Sequence, residues 1–197
     1  MKFLGLLIAG MFSVHTFAAT SEMLFPIGGQ KFDGAAGNVV FNGTSFVAPT
    51  VDGNGALSLT FIDTNAIVIS NLSLFITGSA PRVACAGGNY ILAWCNTNGA
   101  MSVLNCAVIS NGVVAPGFVV GTNVARETVS LNADGTNFLA VWQSAQTNGA
   151  VLARALSAGG DPNGDTFAVA PSGQSQLYPS VGYDGTNHLV CWMEQNV

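Results

Sequence analysis

Few side chains in this 197-residue sequence are of the types that perform catalysis. His188 is the only histidine after residue 19, and Tyr90 and Phe138 fill its position in two similar segments. A general base needs a nucleophile or an acid as partner, and none recurs at a fixed spacing from His188. No GxSxG, phosphate-binding glycine loop or HExxH motif is present. We expect a packing role for His188, and the sequence indicates no catalytic and no cofactor-binding residue.

Paired carboxylates are the remaining route to catalysis, because glycoside hydrolases use two of them. Asp134 and Asp184 lie in equivalent turns, where an Asx side chain caps its own backbone. The turns resemble the Asp-box hairpin of sialidases, but Asp and Gly are adjacent here. Such enzymes would also need clustered arginines, whereas Arg82, Arg126 and Arg154 stand at non-equivalent positions. We expect a protein without enzymatic activity, and an exported carbohydrate-active hydrolase is the alternative.

One segment has the spacing of a cation site. In "GGDPNGDTF", Asp161, Asn163 and Asp165 alternate around a glycine, so their oxygens could converge on calcium. The same residues are typical of a turn, and no bidentate glutamate follows as an EF-type loop requires. Calcium is therefore the one candidate cofactor, and a plain turn is the alternative.

Four cysteines, Cys85, Cys95, Cys106 and Cys191, allow three disulfide connectivities, and their spacing does not select one. The alternative is that they are small buried hydrophobic residues. The sequence has no CxxC pair and no histidine at ligand spacing from them, which argues against zinc.

The N-terminal residues have the layout of a secretory signal peptide: Lys2, about a dozen apolar residues, then small residues. The sequence therefore predicts a signal peptide over residues 1–19 and one β-repeat domain over 20–197, secreted or in the cell envelope. A formal charge of −5 argues against nucleic acid and anionic lipid as partners. No later apolar run is long enough to span a membrane. A protein or carbohydrate surface is the expected partner.

A repeated hairpin is the main feature of the chain. "DGTNFLAVW" (134–142) recurs as "DGTNHLVCW" (184–192), and looser copies are "GGNYILAW" (87–94) and "NGTSFVAP" (42–49). The turn glycines are Gly43, Gly87, Gly135 and Gly185, which are 44 to 50 residues apart. Periods of this length are typical of propellers and other repeat arrays.

Each repeat predicts about four short strands. After the turn, Phe138, Ala140 and Trp142 alternate with Leu139 and Val141, so both faces of the strand are apolar and covered. The sequence predicts an all-β fold of tandem four-stranded antiparallel units, β-propeller-like, either partial or four-bladed. The units resemble the "DGTNYLVVW"-type repeats of long exported bacterial proteins, which implies a propeller-like fold. The predicted function is a secreted binding, adhesion or structural module.

The ends of the sequence fall inside repeats. Phe25-Pro26-Ile27 aligns with Phe118-Val119-Val120 and Phe167-Ala168-Val169, the last strand of a unit, and the sequence stops after the Trp192 strand. Because an open array leaves strand edges unpaired, we expect either a piece of a longer protein or a ring that closes through another copy.

Overall fold

The computed structural model describes residues 37–98, 101–146, 149–170 and 174–195, and these form antiparallel sheets. The predicted signal peptide and the Phe25–Ile27 strand lie outside the described residues. No helix within the described ranges is long and apolar enough to cross a membrane. A single turn of 3-10 helix, Arg126–Thr128, interrupts the strands.

Three complete sheets and one hairpin follow each other along the chain, and we call them blades 1 to 4. Blade 1 consists of β1 Val40–Phe41, β2 Phe46–Val51, β3 Ala56–Ile62 and β4 Val68–Thr77. Blade 2 consists of β5 Ser79–Ala86, β6 Asn89–Asn98, β7 Met101–Ser110, β8 Val113–Val114 and β9 Phe118–Thr122. Blade 3 consists of β10 Ser130–Ala133, β11 Phe138–Gln143, β12 Val151–Leu156 and β13 Pro162–Ala168. Blade 4 consists of β14 Ser175–Tyr183 and β15 His188–Gln195.

Blade 2 has five strands where the repeat predicts four. Both β8 and β9 pair with β7, at opposite ends of the same edge, so together they occupy the fourth position. The segment between them contains Pro116, which has no N–H to donate to a ladder. The prediction of four-stranded units is confirmed, with one outer strand split in two.

The repeated turns have one geometry. Gly43, Gly87, Gly135 and Gly185 all have positive φ, which non-glycine residues rarely adopt. The Oδ1 atom of Asp134 accepts the N–H groups of Thr136 and Asn137 at 2.8 and 2.6 Å, and Asp184 caps its turn in the same way. In blade 1, Asn42 replaces the aspartate and caps Thr44 and Ser45. Blade 2 has Ala86 at this position, and a second positive-φ glycine, Gly88, makes the turn.

The core is divided among the blade interfaces. One cluster, which includes Leu59 and Trp94, joins blades 1 and 2; a second, which includes Ile91 and Trp142, joins blades 2 and 3; and the third, around Val141, joins blades 3 and 4. The second strands of blades 2 and 3, β6 and β11, therefore face a neighbouring blade on both sides, as the alternation in 138–142 predicts. Burying one apolar face on each side explains why these strands are almost continuously hydrophobic.

Candidate functional site

The first strands of the four blades line one open cavity. Strand β5 contacts β1 and β10, and β10 contacts β14, so the four inner strands lie side by side. The cavity that they line has a volume of about 450 Å³ and is open to solvent. Its walls are residues 38–41, Ala84 and Cys85, residues 130–133, and Ser180 with Val181. We call this cavity the channel.

Strand periodicity puts polar side chains into the channel. In β10, Ser130 and Asn132 lie on the face toward blade 4, and the buried Leu131 lies on the opposite face toward blade 2; all three line the cavity. Asn38 comes from the segment before β1 in blade 1, and Ser180 comes from β14 in blade 4. All of these polar groups are uncharged amides or hydroxyls.

Two of these polar side chains form hydrogen bonds that link neighbouring strands and stabilise the fold. The Asn38 amide donates to the Val83 carbonyl at 2.7 Å and accepts the Val83 N–H at 2.8 Å, which fixes the segment before β1 to β5. Ser130 Oγ accepts the Val181 N–H at 3.1 Å and links blades 3 and 4. The Ser130 hydroxyl keeps its own proton as a donor.

Asn132 has hydrogen-bonding capacity left over. Its Oδ1 atom is buried and has no donor among the described residues. A buried acceptor without a partner costs about 1–3 kcal/mol, so such atoms usually meet a ligand, a water or a protein donor. Asn132 lines the channel, but neighbouring atoms cover its Oδ1 atom, so a hydroxyl or N–H of a bound molecule reaches this acceptor only after the side chain rotates.

No carboxylate of the described chain lines the channel. Asp52 and Asp63 accept N–H groups in their own turns, as Asp134 and Asp184 do. Backbone N–H groups of Asn137 and Thr136 lower the pKa of Asp134, and those of Asn187 and Thr186 lower the pKa of Asp184. These aspartates are therefore ionised caps, and the structure does not bring two of them together in the channel.

His188 lies beside Tyr183, with the ring centroids 5.0 Å apart, in the hairpin of blade 4. It is half-buried, and its Nε2 atom has no partner within the described ranges. The ring does not line the channel. The packing role of His188 stays a prediction.

The calcium candidates lie on the outermost strand of blade 3. Asp161 directly precedes β13, and Asn163 and Asp165 belong to it; all three are exposed. Gly164, with a φ of +90°, lies in a bulge between them. No cluster of three acidic, histidine or cysteine side chains occurs in the described part of the chain. The calcium site stays a prediction.

The four cysteines are free thiols. Cys95 and Cys106 are buried in the cluster between blades 2 and 3. Burial raises the pKa of Cys95 to about 11 and also raises the pKa of Cys106. Both thiols are therefore protonated at neutral pH and contribute as small hydrophobic side chains.

The described residues form an all-β propeller, and its inner strands line a channel without charged side chains. No protein-family model matches the chain, and no curated protein matches it. The chain does align with several solved structures. A GH43 endo-arabinanase from Bacillus licheniformis aligns with a TM-score of 0.53 at 14% identity, over 77% of this chain and 62% of that one. An endo-arabinase from Bacteroides thetaiotaomicron aligns with a TM-score of 0.54 at 14% identity, over 86% and 72%.

The arabinanases are five-bladed β-propellers, and the likeness establishes the same type of fold for this chain. Hydrazine synthase from Kuenenia stuttgartiensis also aligns, with a TM-score of 0.54 at 12% identity, over 73% of this chain and 46% of that one. The chain therefore spans less than two thirds of two of these structures. Proteins with this type of fold catalyse very different reactions. The function must therefore be inferred from the residues of the site and not from the fold alone.

The channel residues do not stand out in the sequence. Asn132 and Ser130 are polar residues two apart in "VSLNADG", directly before a repeat turn. That alternation is the available signal, since it marks a strand with one polar face. It does not show that this face borders a cavity that residues of three other blades also line.

Proposed function

We propose that this protein is a carbohydrate-binding propeller that holds a neutral sugar chain in its channel. The observation that carries the proposal is the channel lining: amide and hydroxyl side chains from blades 1, 3 and 4, with the Asn132 acceptor unpartnered among the described residues. Sugar hydroxyls both donate and accept, so they suit a lining that offers both kinds of group. The similarity to two arabinan-degrading enzymes favours carbohydrate over protein as the ligand.

The absence of charge in the channel favours a neutral ligand. Among the residues that the structure describes, no Lys, Arg, Asp or Glu lines it. A charged ligand would lose its hydration there without gaining an opposite charge. We therefore favour pentose or hexose oligosaccharides over uronates at this position.

Hydrolysis is the second candidate, because the two arabinan-degrading enzymes share the fold. That reaction requires two carboxyl groups flanking the bond that is cleaved. The comparisons favour this second candidate, whereas the channel lining, which has no carboxyl group among the described residues, favours binding without cleavage. The predicted signal peptide favours a location outside the cytoplasm for this function.

Calorimetric titration with linear arabino-oligosaccharides tests the proposal. Asn132→Leu keeps the side-chain size and removes the buried acceptor, so we expect at least about tenfold weaker binding. Asn71→Leu is the matched control, because Asn71 lies on the outer strand β4 and donates to Thr60. Equal affinity of wild type and Asn132→Leu would refute the channel as the site.

Reducing-end release from the same oligosaccharides separates the two candidates. Binding without any release supports the binding module. Turnover that depends on one or two specific carboxylates would establish the hydrolase instead.

A further inference from the structure

A second cavity, of about 320 Å³, lies on the outer side of the interface between blades 2 and 3. One wall is residues 119–122 of β9, and the other is formed by Trp142, Leu152, Arg154 and Thr166 of blade 3. We call it the outer crevice. It shares no lining residue with the channel, and its size is at the lower end of the range for small-molecule sites.

Arg154 is held rigidly at this crevice. Its Nε donates to the Gly164 carbonyl at 3.2 Å and its Nη1 to the Val120 carbonyl at 3.1 Å, so the guanidinium bridges the two blades. A guanidinium has five N–H groups, and these two bonds leave three of them. None of the carboxylates in the described residues forms an ion pair with Arg154. In a chain of net charge −5, it is a fixed cation with unused donors.

Trp142 adds a second unused donor. Its side chain is fully buried, and its Nε1–H has no acceptor in the described part of the chain. Gly121 leaves room for the indole, because a Cβ there would lie 2.6 Å from Trp142 Cζ2. An indole N–H can only donate, so an acceptor is what it lacks. Leu152, Val119 and Val120 supply apolar wall beside these donors.

We propose that the outer crevice binds a carboxylate attached to a small ring or aliphatic body. The unused donors and the uncompensated charge call for an anionic acceptor, and the planar fork of arginine matches two carboxylate oxygens. The apolar wall accommodates the rest of the ligand. This site is independent of the neutral ligand proposed for the channel.

Galacturonate and galactose form the matched probe pair, because they differ only in a carboxylate in place of a hydroxymethyl group. We expect galacturonate to bind and to shift the indole N–H resonance of Trp142 in a protein labelled with ¹⁵N-tryptophan. Trp142→Phe identifies that resonance by its loss. An equal shift of the Trp142 resonance by galactose, or an unmoved Trp142 resonance at saturation with galacturonate, would overturn the proposal.

Arginine variants locate the site. Arg154→Gln should weaken galacturonate binding at least about tenfold, and Arg154→Lys should weaken it less, since the charge remains but the fork is lost. Arg82→Gln is the control, because Arg82 also donates to two carbonyls, those of Val129 and Pro81, but lies outside the crevice. Unchanged affinity in Arg154→Gln, or equally strong competition by sulfate, would refute a carboxylate site at Arg154.

Discussion

The repeated tryptophans differ in how deeply they are buried, and therefore in how much each contributes to the stability of the fold. Trp142 is fully buried between blades 2 and 3, and Trp94 is nearly so between blades 1 and 2. Trp192 holds the same place in the repeat but is only half-buried, in the two-stranded blade 4. One sequence position therefore has different surroundings in different blades.

Trp142→Ala should lower the free energy of unfolding by roughly 3–5 kcal/mol, because it opens a large cavity in the core. Trp192→Ala should cost clearly less, since its side chain is partly in solvent. Urea unfolding of both variants, followed by circular dichroism, measures the difference. Equal losses would mean that Trp192 is buried as deeply in solution as Trp142.

At the scale of the element, the turns of blades 3 and 4 depend on ionised aspartates. The pKa values of Asp134 and Asp184 are lowered in the folded protein by backbone N–H donors. A lowered carboxyl pKa contributes stability above the unfolded-state pKa and loses it as pH falls through the folded pKa. The blade 1 turn uses the neutral Asn42 for the same bonds and lacks this dependence.

We therefore expect the wild type to lose stability below about pH 4 more steeply than Asp134→Asn/Asp184→Asn. The asparagines keep the Oδ1 acceptor but cannot be protonated in this range. Unfolding free energies of both proteins between pH 3 and pH 7 provide the comparison. Parallel pH profiles would show that the two caps do not contribute to acid sensitivity.

Much of each blade is predictable from the sequence, because local chemistry determines it. The turn glycines need positive φ, and the alternation of Phe138, Ala140 and Trp142 with Leu139 and Val141 requires two covered faces. The channel was not predictable, because it arises where strands from different repeats meet. Asn132 and Ser180 are 48 positions apart, and only the arrangement of the blades brings them to one cavity.

At the scale of the whole molecule, blade 4 leaves an apolar face uncovered. Leu189 and Met193 are 67% and 60% exposed and lie on one face of β15 with Cys191. The equivalent face of β11, which includes Val141, is covered by blade 4. In the described residues β15 pairs only with β14, so its other edge is open to pairing.

We expect the purified protein to self-associate at micromolar concentration through this face and edge. Leu189→Lys/Met193→Lys should shift it toward the monomer, whereas Ile69→Lys, at an exposed position of β4, should not. Sedimentation equilibrium measures the change. A wild-type monomer that unfolds cooperatively would contradict the expectation.

The proposed sugar site lies between the inner strands of the four blades. A crystal structure of the protein with an arabino-oligosaccharide tests this proposal most directly. We expect an uncleaved sugar chain in the channel, with a hydroxyl donating to Asn132 Oδ1. A sugar bound on an outer blade surface, with the channel unoccupied, would contradict it.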